Sequence, residues 1–470
     1  MPTSSAIRYF LICSVVLAIG GCAPVGPNHE TPAMELPTSF SQGGVEWKRQ
    51  SVNKLPPPQA WWKMYRDGTL TALVERSLAA NQELTASAAR LRQARNLSQA
   101  TRSLYFPEIN LTGTANRSKV RYLGAVESPT IQNNFILPVD FSYELDVWGK
   151  SRRRVESATA TADAAAETLT ALRLTVAGEV AQTYWALRAV EMDQVALDHT
   201  LEIRRKALDL FTKRRDAGTI SGLDLARAET EVATAEAERT RLEQDRSTLV
   251  NALAVLAGTT ATGFSVPAQA ELPTPPTVPG SVPSELLRQR PDIRAAERRV
   301  AAANADIGVA TAAFYPSFSI NSDGGFSADN LSDLFDASAL IWSLGGKAVA
   351  PLSRIRLHKL QQQAAIDAHA AVSADYRQTV LESVREVENA LQGAAILERR
   401  QTAQNQAFAA AKKTFELSFK RYQSGLVSFL DVVDAERTRL DTERAANGIR
   451  AERLAVSVSL IKALGGEWQN

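Results

Sequence analysis

Two stretches of this 470-residue sequence share one pattern: LFTKRRDAGTISGLDLARAETEV runs from Leu210 to Val232, and FKRYQSGLVSFLDVVDAERTRL runs from Phe419 to Leu440. In each stretch basic residues precede a glycine, a Leu-Asp pair follows after four further residues, and an Ala-Glu pair comes next. The two glycines, Gly218 and Gly425, are 207 residues apart. Motifs on both sides repeat at nearly the same interval. This spacing predicts two structural repeats that together cover most of the chain.

Each repeat has the pattern of a helix, a β-hairpin, a very long helix, a turn and a returning helix. In the first repeat, apolar residues step by three and four positions after Lys150, and the next proline is Pro267. A helix over 151–216 would be roughly 100 Å long, at a rise of about 1.5 Å per residue. Before this helix, residues 135–147 alternate between apolar and polar side chains, which predicts a strand with one apolar face.

The segment boundaries follow from these patterns. Outside the repeats, the predicted segments are a signal peptide (1–21), an N-terminal extended segment (22–69), a connector with several prolines (258–283) and a C-terminal tail (465–470). The repeats themselves cover 70–257 and 284–464. Within them we predict β-hairpins at 108–148 and 317–352, long helices at 151–216 and 353–423, turns at 217–222 and 424–428, and returning helices at 223–257 and 429–464.

The N-terminus reads MPTSSAIRYFLICSVVLAIGGCAP, with one positive charge at Arg8 and a short apolar core. That core is too short to span a bilayer as a permanent helix. The Gly-Gly-Cys at its end resembles a bacterial lipobox, which implies cleavage before Cys22 and acylation of that cysteine. Cys13 would leave with the signal peptide, so the mature chain would have no disulfide. By the same resemblance to bacterial lipoproteins, Ala23 in place of an aspartate favours sorting to the outer membrane of a Gram-negative bacterium. The alternative is a chance cysteine near a signal peptide.

Composition excludes several classes of protein. Hydrophobic residues make up 45% of the chain but aromatic residues only 7%, which is typical of long helices that pack through small side chains. A net charge of +2, without a basic cluster, argues against nucleic-acid binding. The Gly345-Gly346-Lys347 run lacks the spacing of a phosphate-binding loop. No nucleophile motif or metal-binding spacing of histidines is present, so we expect neither an enzyme nor a cofactor, apart from the covalent lipid on Cys22.

The strands place a further constraint on assembly. Four strands per chain, with a lipid-like outer face, cannot close a barrel alone, and an open edge in lipid leaves backbone groups unpaired. Three chains would supply twelve strands, an even number within the known range for membrane barrels. The polar strand faces are then expected to point into the lumen, with these carboxylates: Asp140, Glu144, Asp146 and Asp323.

Three stretches resemble one known family. They are VPSELLRQRPDIRAAERRVAAANADIGVATAAFYPSFSI (Val282 to Ile320), AWWKMYRDGTLTALVERSLAANQEL (Ala60 to Leu84), and CAPVGPNHETP after the lipobox. The chain resembles the outer-membrane channels of tripartite efflux pumps, of the TolC and OprM type, in their acylated branch. The resemblance implies a mainly α-helical, TolC-like fold with membrane β-strands. A trimer would form a twelve-stranded β-barrel in the outer membrane and an α-helical barrel in the periplasm, ringed by an equatorial region. The implied partners are a periplasmic adaptor and an inner-membrane proton-driven pump.

The resemblance also assigns site residues. The repeated turns would be periplasmic tips that contact the adaptor, through Gly218, Thr219, Ile220, Ser221, Gly425, Leu426, Val427 and Ser428. The second tip would form the periplasmic aperture, with Leu430, Asp431, Asp434 and Arg437. Asp224 and Tyr422 would link the two hairpins at the tips. The simpler alternatives are that the turns only reverse the chain, and that Asp434 and Arg437 form a solvated pair at i,i+3.

Two other functions stay open at this point. The same kind of channel could serve type I protein secretion, and a neighbouring gene for an inner-membrane pump would favour efflux instead. A periplasmic coiled-coil lipoprotein acting as a scaffold would explain the lipobox and the heptads. It would not explain strands with one apolar face.

Overall fold

The computed structural model describes residues 23–34, 46–48, 60–120, 130–276, 281–283 and 289–466. Its α-helices are α1 (Gly68–Ala80), α2 (Gln82–Arg102), α3 (Lys150–Asp216), α4 (Gly222–Leu256), α5 (Pro291–Ala312), α6 (Ile355–Gln423) and α7 (Phe429–Ala463). Its strands are β1 (Glu46–Lys48), β2 (Glu108–Leu111), β3 (Thr114–Val120), β4 (Thr130–Leu145), β5 (Ser281–Pro283), β6 (Ser317–Ala328) and β7 (Leu340–Val349). Across the described ranges, every helix is too short or too polar to cross a membrane.

The chain divides into two compact units. The first, here called the strand unit, is drawn from Met1–Ala33, Arg90–Ala166 and Ala295–Arg377. The second, here called the hairpin unit, is drawn from Met34–Ala89, Glu167–Arg294 and Gln378–Asn470.

The strand unit contains an antiparallel sheet in the order β2-β4-β6-β7, and β3 also pairs with β4. The sequence predicts two strands in the hairpin at 108–148, but the described residues there form three, because β2 and β3 are separated at Thr112 and Gly113. The break lies opposite Pro138, whose carbonyl accepts from the Thr112 N–H at 3.1 Å. Since proline has no N–H to donate, it cannot complete the ladder at this position. The sheet therefore has five strand segments instead of the four predicted.

Apolar side chains cover much of the exposed surface of this sheet. Every residue of β2 and β7 is exposed in the single chain, and Trp342 and Leu344 are 77% and 70% exposed. These two strands are also the ends of the sheet order. The described part of one chain thus leaves two open edges beside apolar rows.

One predicted lumen residue lies outside the sheet. Strand β4 ends at Leu145, and the Asp146 carboxylate accepts from the backbone N–H groups of Ser151 (2.9 Å) and Arg152 (3.0 Å). It therefore satisfies the first N–H groups of α3, which have no partner within the helix. The prediction that Asp146 shares a strand face with Asp140 is wrong. The strand ends before Asp146, because the free N–H groups at the start of α3 bind its carboxylate.

The hairpin unit has its own core around the middle of α3. Tyr184 and Trp185 are fully buried there and pack with Tyr65 and with apolar residues of α4 and α7. The Tyr184 hydroxyl donates to Asp67 Oδ2 at 2.7 Å, and the other Asp67 oxygen accepts from the Leu70 N–H to cap α1. The core thus ties α1 to the long hairpins.

Buried charges fasten the proline-containing connector to the same unit. Arg188, which is fully buried, donates to the Pro267 carbonyl at 2.8 Å and to Glu191. Glu191 in turn accepts from Arg246 (3.0 Å) and from the Gln269 N–H (3.1 Å). An irregular segment with few backbone hydrogen bonds of its own is held in place by these contacts.

Candidate functional site

The two repeated turns have the same backbone hydrogen bonds. At the first, the Gly218 N–H donates to the Arg215 carbonyl at 2.8 Å, and the Thr219 N–H donates to the Arg214 carbonyl at 2.9 Å. At the second, Gly425 and Leu426 donate at the same offsets, both at 2.9 Å. This is the Schellman arrangement, which needs a left-handed residue after the helix. Gly218 and Gly425 supply it, with φ of 72° and 75°.

The returning helices begin with matched serine caps that differ in one detail. Ser221 and Ser428 each accept from an N–H three residues later, those of Asp224 and Asp431. The Asp431 carboxylate also accepts from the Ser428 backbone N–H at 2.8 Å, which completes a capping box at the second turn. The Ser428 hydrogen bonds lower the pKa of Asp431 below its ordinary value. Both carboxylates are therefore used locally by their own turns.

The residues expected at the aperture lie on the first turns of α7. Leu430, Asp431 and Asp434 are exposed, and Arg437 is exposed one turn further on. Arg437 donates to both oxygens of Glu231 on α4, a residue that the sequence did not single out. The simpler expectation of an Asp434–Arg437 pair is therefore replaced by an ion pair between the two hairpins. Convergence of three copies around a mouth stays a prediction, because one chain cannot test it.

The tip link forms through a different partner from the one expected. The Tyr422 hydroxyl accepts from Arg214 at 3.3 Å, whereas Asp224 accepts from the Ser221 hydroxyl at 2.9 Å. Burial raises the pKa of Tyr422, the Arg214 charge lowers it, and the Asp224 charge raises it, so all three groups are neighbours. Among the described residues, the hydrogen bond of Tyr422 across the hairpins is therefore with Arg214, and the Asp224 carboxylate serves its own helix cap.

An apolar cluster, here called the tip cluster, supports this link. Its members, from both hairpins, are Leu208, Phe211, Ile220, Leu225, Ala228, Tyr422 and Phe429. The rings of Phe211 and Phe429 meet edge to face at 4.4 Å between centroids. Sequence reasoning missed Phe211 and Phe429. The signal was present, since each is an aromatic residue at a helix end in a chain that has few aromatic residues.

The turns expected to contact an adaptor are surface segments, with one difference between them. Leu426 is 71% exposed, and Thr219 and Ser428 are also exposed. Ile220 and Val427 are half-buried, and Ile220 packs into the tip cluster. The second turn therefore offers the larger apolar contact.

The predicted lipidation residue, Cys22, lies outside the described residues, but the segment that follows it is described. Arg153 donates to the Val25 carbonyl at 3.3 Å and to Asn28 Oδ1 at 2.9 Å. His29 Nε2 lies 2.7 Å from Glu297 Oε1. These contacts hold residues 25–29 in place within the strand unit. No group of three potential metal ligands occurs within the described ranges.

Comparison with known proteins agrees with this architecture. The profile of the outer membrane efflux protein family matches residues 73–259 and 282–466, one match for each repeat. The chain is 31% identical to the pyoverdine export outer membrane protein OpmQ of Pseudomonas putida, over 97% of both chains. It is 29% identical to the toluene efflux pump outer membrane protein TtgF of Pseudomonas putida, over 98% of this chain and 97% of TtgF.

A solved structure shows the same fold. The outer-membrane channel OprN superimposes with a TM-score of 0.86 at 30% identity, over 95% of this chain and all of that chain. The predicted TolC-like fold is confirmed by this likeness and by the mainly helical chain with its antiparallel sheet. The chain belongs to the outer membrane efflux protein family, whose members are outer-membrane channels and not enzymes.

Proposed function

We propose that three copies of this chain form the exit duct of a tripartite efflux system, a passive channel through which small toxic compounds cross the outer membrane. Members of this family form trimers and act in tripartite pumps. The relatives named above serve pyoverdine export and toluene efflux, which favours small molecules over secreted proteins as cargo. For this chain the proposed partners are a periplasmic adaptor and an inner-membrane proton-driven pump.

The open sheet carries this proposal. One chain exposes the edges of β2 and β7 together with apolar side chains such as Trp342 and Leu344. In lipid, each unpaired backbone group costs several kcal/mol, so a single chain could not stay in the membrane with these edges open. Edge-to-edge joining of three chains closes the sheet and turns the apolar rows outward.

Light scattering of the detergent-solubilised protein tests the assembly, and a trimer is the expected result. Leu344→Arg should reduce trimer yield, since an arginine near mid-membrane costs about 2–4 kcal/mol per chain. Leu344→Ile is the matched control and should assemble like the parent protein. A stable, folded monomer of the parent chain would contradict the proposal.

At the tips, we propose that three copies of Asp431 and Asp434 line the aperture. Asp431→Ala combined with Asp434→Ala should weaken cation preference in planar bilayers. Tyr422→Phe combined with Arg437→Ser should raise single-channel conductance, because it removes the hydrogen bond from Arg214 and the ion pair with Glu231. The exposed pair Asp209 and Lys213 provides the control, with both residues changed to alanine. If both test variants conduct and select like the parent and this control, these residues do not line the constriction.

We also propose that Cys22 carries acyl chains, while the sheet provides most of the free energy of membrane association. The sheet buries far more apolar surface than acyl chains do. Cys22→Ser behind a conventional signal peptide should therefore still give outer-membrane trimers. Loss of all membrane association in this variant would contradict the second half of the proposal.

A further inference from the structure

A group of paired charges, four of whose side chains are at most 10% exposed, lies deeper in the hairpin unit than the tip cluster. It is here called the ionic layer, and its members are Arg204 on α3, Glu231 on α4, and Glu436, Arg437, Arg439 and Glu443 on α7. Three cations and three anions balance, so the layer has no net charge. It joins both helices of the first hairpin to the returning helix of the second.

Arg204 holds the centre of this layer. Its Nη2 donates to Glu436 Oε2 at 2.7 Å, and its Nη1 lies 3.0 Å from Glu231 Oε2. The side chain of Arg204 is only 10% exposed, and that of Glu436 only 4%. Within the described residues, the other oxygen of Glu436 has no hydrogen-bond partner, and its nearest cation is Arg439 at 3.6 Å. Arg204 therefore supplies the hydrogen bonds that Glu436 receives.

The layer lies a short distance from the turns. Arg204 is seven residues before Phe211, and Glu436 is seven residues after Phe429. Seven helical residues correspond to two turns, or about 10 Å. The tip cluster and the ionic layer are thus two successive contacts between the same hairpins, one apolar and one ionic.

The two contacts respond differently to a separating force. Apolar packing is non-directional, so the tip cluster can slide or part gradually, and the hydrogen bond that Arg214 donates to its member Tyr422 is long, at 3.3 Å. In the ionic layer, one guanidinium spans two carboxylates on different helices. Separation there would leave charges buried and unpaired, which is strongly unfavourable.

We propose that the ionic layer is the fulcrum of the gate: it fixes α7 against α3 and α4 while the two helical turns below it bend outward. Arg204 and Glu436 are then positioning residues, which set how far the tips separate without lining the aperture. This inference rests on the proposed duct function.

Neighbouring arginines allow a matched test. Arg204→Lys keeps the positive charge but loses the planar fork that spans Glu231 and Glu436. Arg205→Lys is the control, because Arg205 pairs with Glu236 in a site where both side chains are at least half exposed. In planar bilayers, we expect Arg204→Lys to raise the open probability about tenfold, as loss of one charge-assisted bond allows. Arg205→Lys should gate like the parent.

Hydrogen exchange of the intact trimer separates a fulcrum from a general loss of stability. In Arg204→Lys, amide protection should fall about tenfold over 205–216 and 429–435, below the layer, and stay unchanged over 185–197 and 446–458, above it. Equal gating in the two lysine variants would overturn the proposal. Protection lost equally on both sides of the layer would also overturn it. A parent protein that forms no channel would instead contradict the duct function.

Discussion

The two repeats have the same backbone at their turns but different side chains where the hairpins meet. Gly218 and Gly425 adopt the same left-handed conformation, and the hydrogen bonds around them match within 0.1 Å. In contrast, the positions of the second repeat that correspond to Arg204 and Glu231 are Ala411 and Thr438, 207 residues later. The ionic layer therefore exists once in each chain and not twice.

This difference shows which features of a duct must be periodic. A chain that reverses twice needs the same turn chemistry each time, because glycine and serine requirements are set by backbone geometry. The side chains between hairpins are set by their neighbours instead. In the first repeat those neighbours include α7 of the same chain.

The largest expected difference in stability between variants of the two repeats lies in the core of the hairpin unit. Trp185 is fully buried, whereas its counterpart at the repeat interval is Gln392, which is half-buried. Trp185→Ala should destabilise the protein by about 3–5 kcal/mol, from lost burial and the cavity left behind. Gln392→Ala should cost much less. The measurement is the thermal melting of purified trimers by circular dichroism.

Trp185→Phe refines this test. Among the described residues no acceptor is available to the Trp185 indole N–H, so phenylalanine removes an unsatisfied donor while keeping most of the apolar surface. The loss should be clearly smaller than for alanine. Equal melting temperatures for Trp185→Ala and Gln392→Ala would show that the repeats share the core evenly, contrary to the burial pattern.

The second test should give equal effects in the two repeats. A Cβ added at Gly218 or Gly425 would meet open space, so the cost of alanine at either position comes from the left-handed backbone alone. We expect about 1–2 kcal/mol at each turn, with no difference between them. Comparison of the two single variants by thermal melting checks this, and a marked inequality would mean that one turn is strained by its surroundings.

Much of this architecture is predictable from the sequence because its signals are local. The turn glycines, the repeat interval and the helical periodicity predict ends for α3, α4, α6 and α7 that lie within two residues of those in the structure. The partners of individual charges were not predictable. The i,i+3 spacing predicted Asp434 as the ion-pair partner of Arg437, but the structure pairs Arg437 with Glu231, 206 residues earlier in the chain. Which carboxylate pairs with an arginine depends on burial and on helix packing. The spacing of residues along one helix determines neither of them.

A third test compares the two repeats through the pH dependence of an ion pair that only the first repeat has at this position. Glu238 on α4 pairs with Arg241 and with Arg444 on α7, whereas its counterpart at the repeat interval is Ala445. The Arg241 and Arg444 guanidinium groups lower the pKa of Glu238 to about 2, from an ordinary value of 4.5. Because the folded pKa is depressed, the stabilisation is complete above about pH 4.5 and is lost as the pH falls towards 2.

Glu238→Gln should therefore be less stable than the parent at pH 7, by about 1 kcal/mol after allowing for solvent screening. The gap should narrow as the pH falls from about 5 towards 2. Melting temperatures of both proteins across this range give the result. A gap that is the same at every pH would mean that the charge of Glu238 does not matter to the contact between α4 and α7.

The smallest expected effect is a difference in amide exchange between variants of the two helix caps. Asp431 accepts from both the backbone N–H and the hydroxyl of Ser428, while the Asp224 carboxylate accepts from the hydroxyl of Ser221 and, within the described residues, from no backbone N–H of its cap. Asparagine at either position removes a negative charge near a helix N-terminus, but at Asp431 it also weakens the capping box. Hydrogen exchange should show about two- to threefold faster exchange over 429–434 in Asp431→Asn than over 222–227 in Asp224→Asn. Since the pKa of Asp431 is lowered by the Ser428 bonds, this extra protection should be present at neutral pH and disappear as the pH falls below the ordinary carboxyl range. If both variants exchange alike at pH 7, the capping box adds nothing to the second tip, and its rigidity must come from the tip cluster and the ionic layer instead.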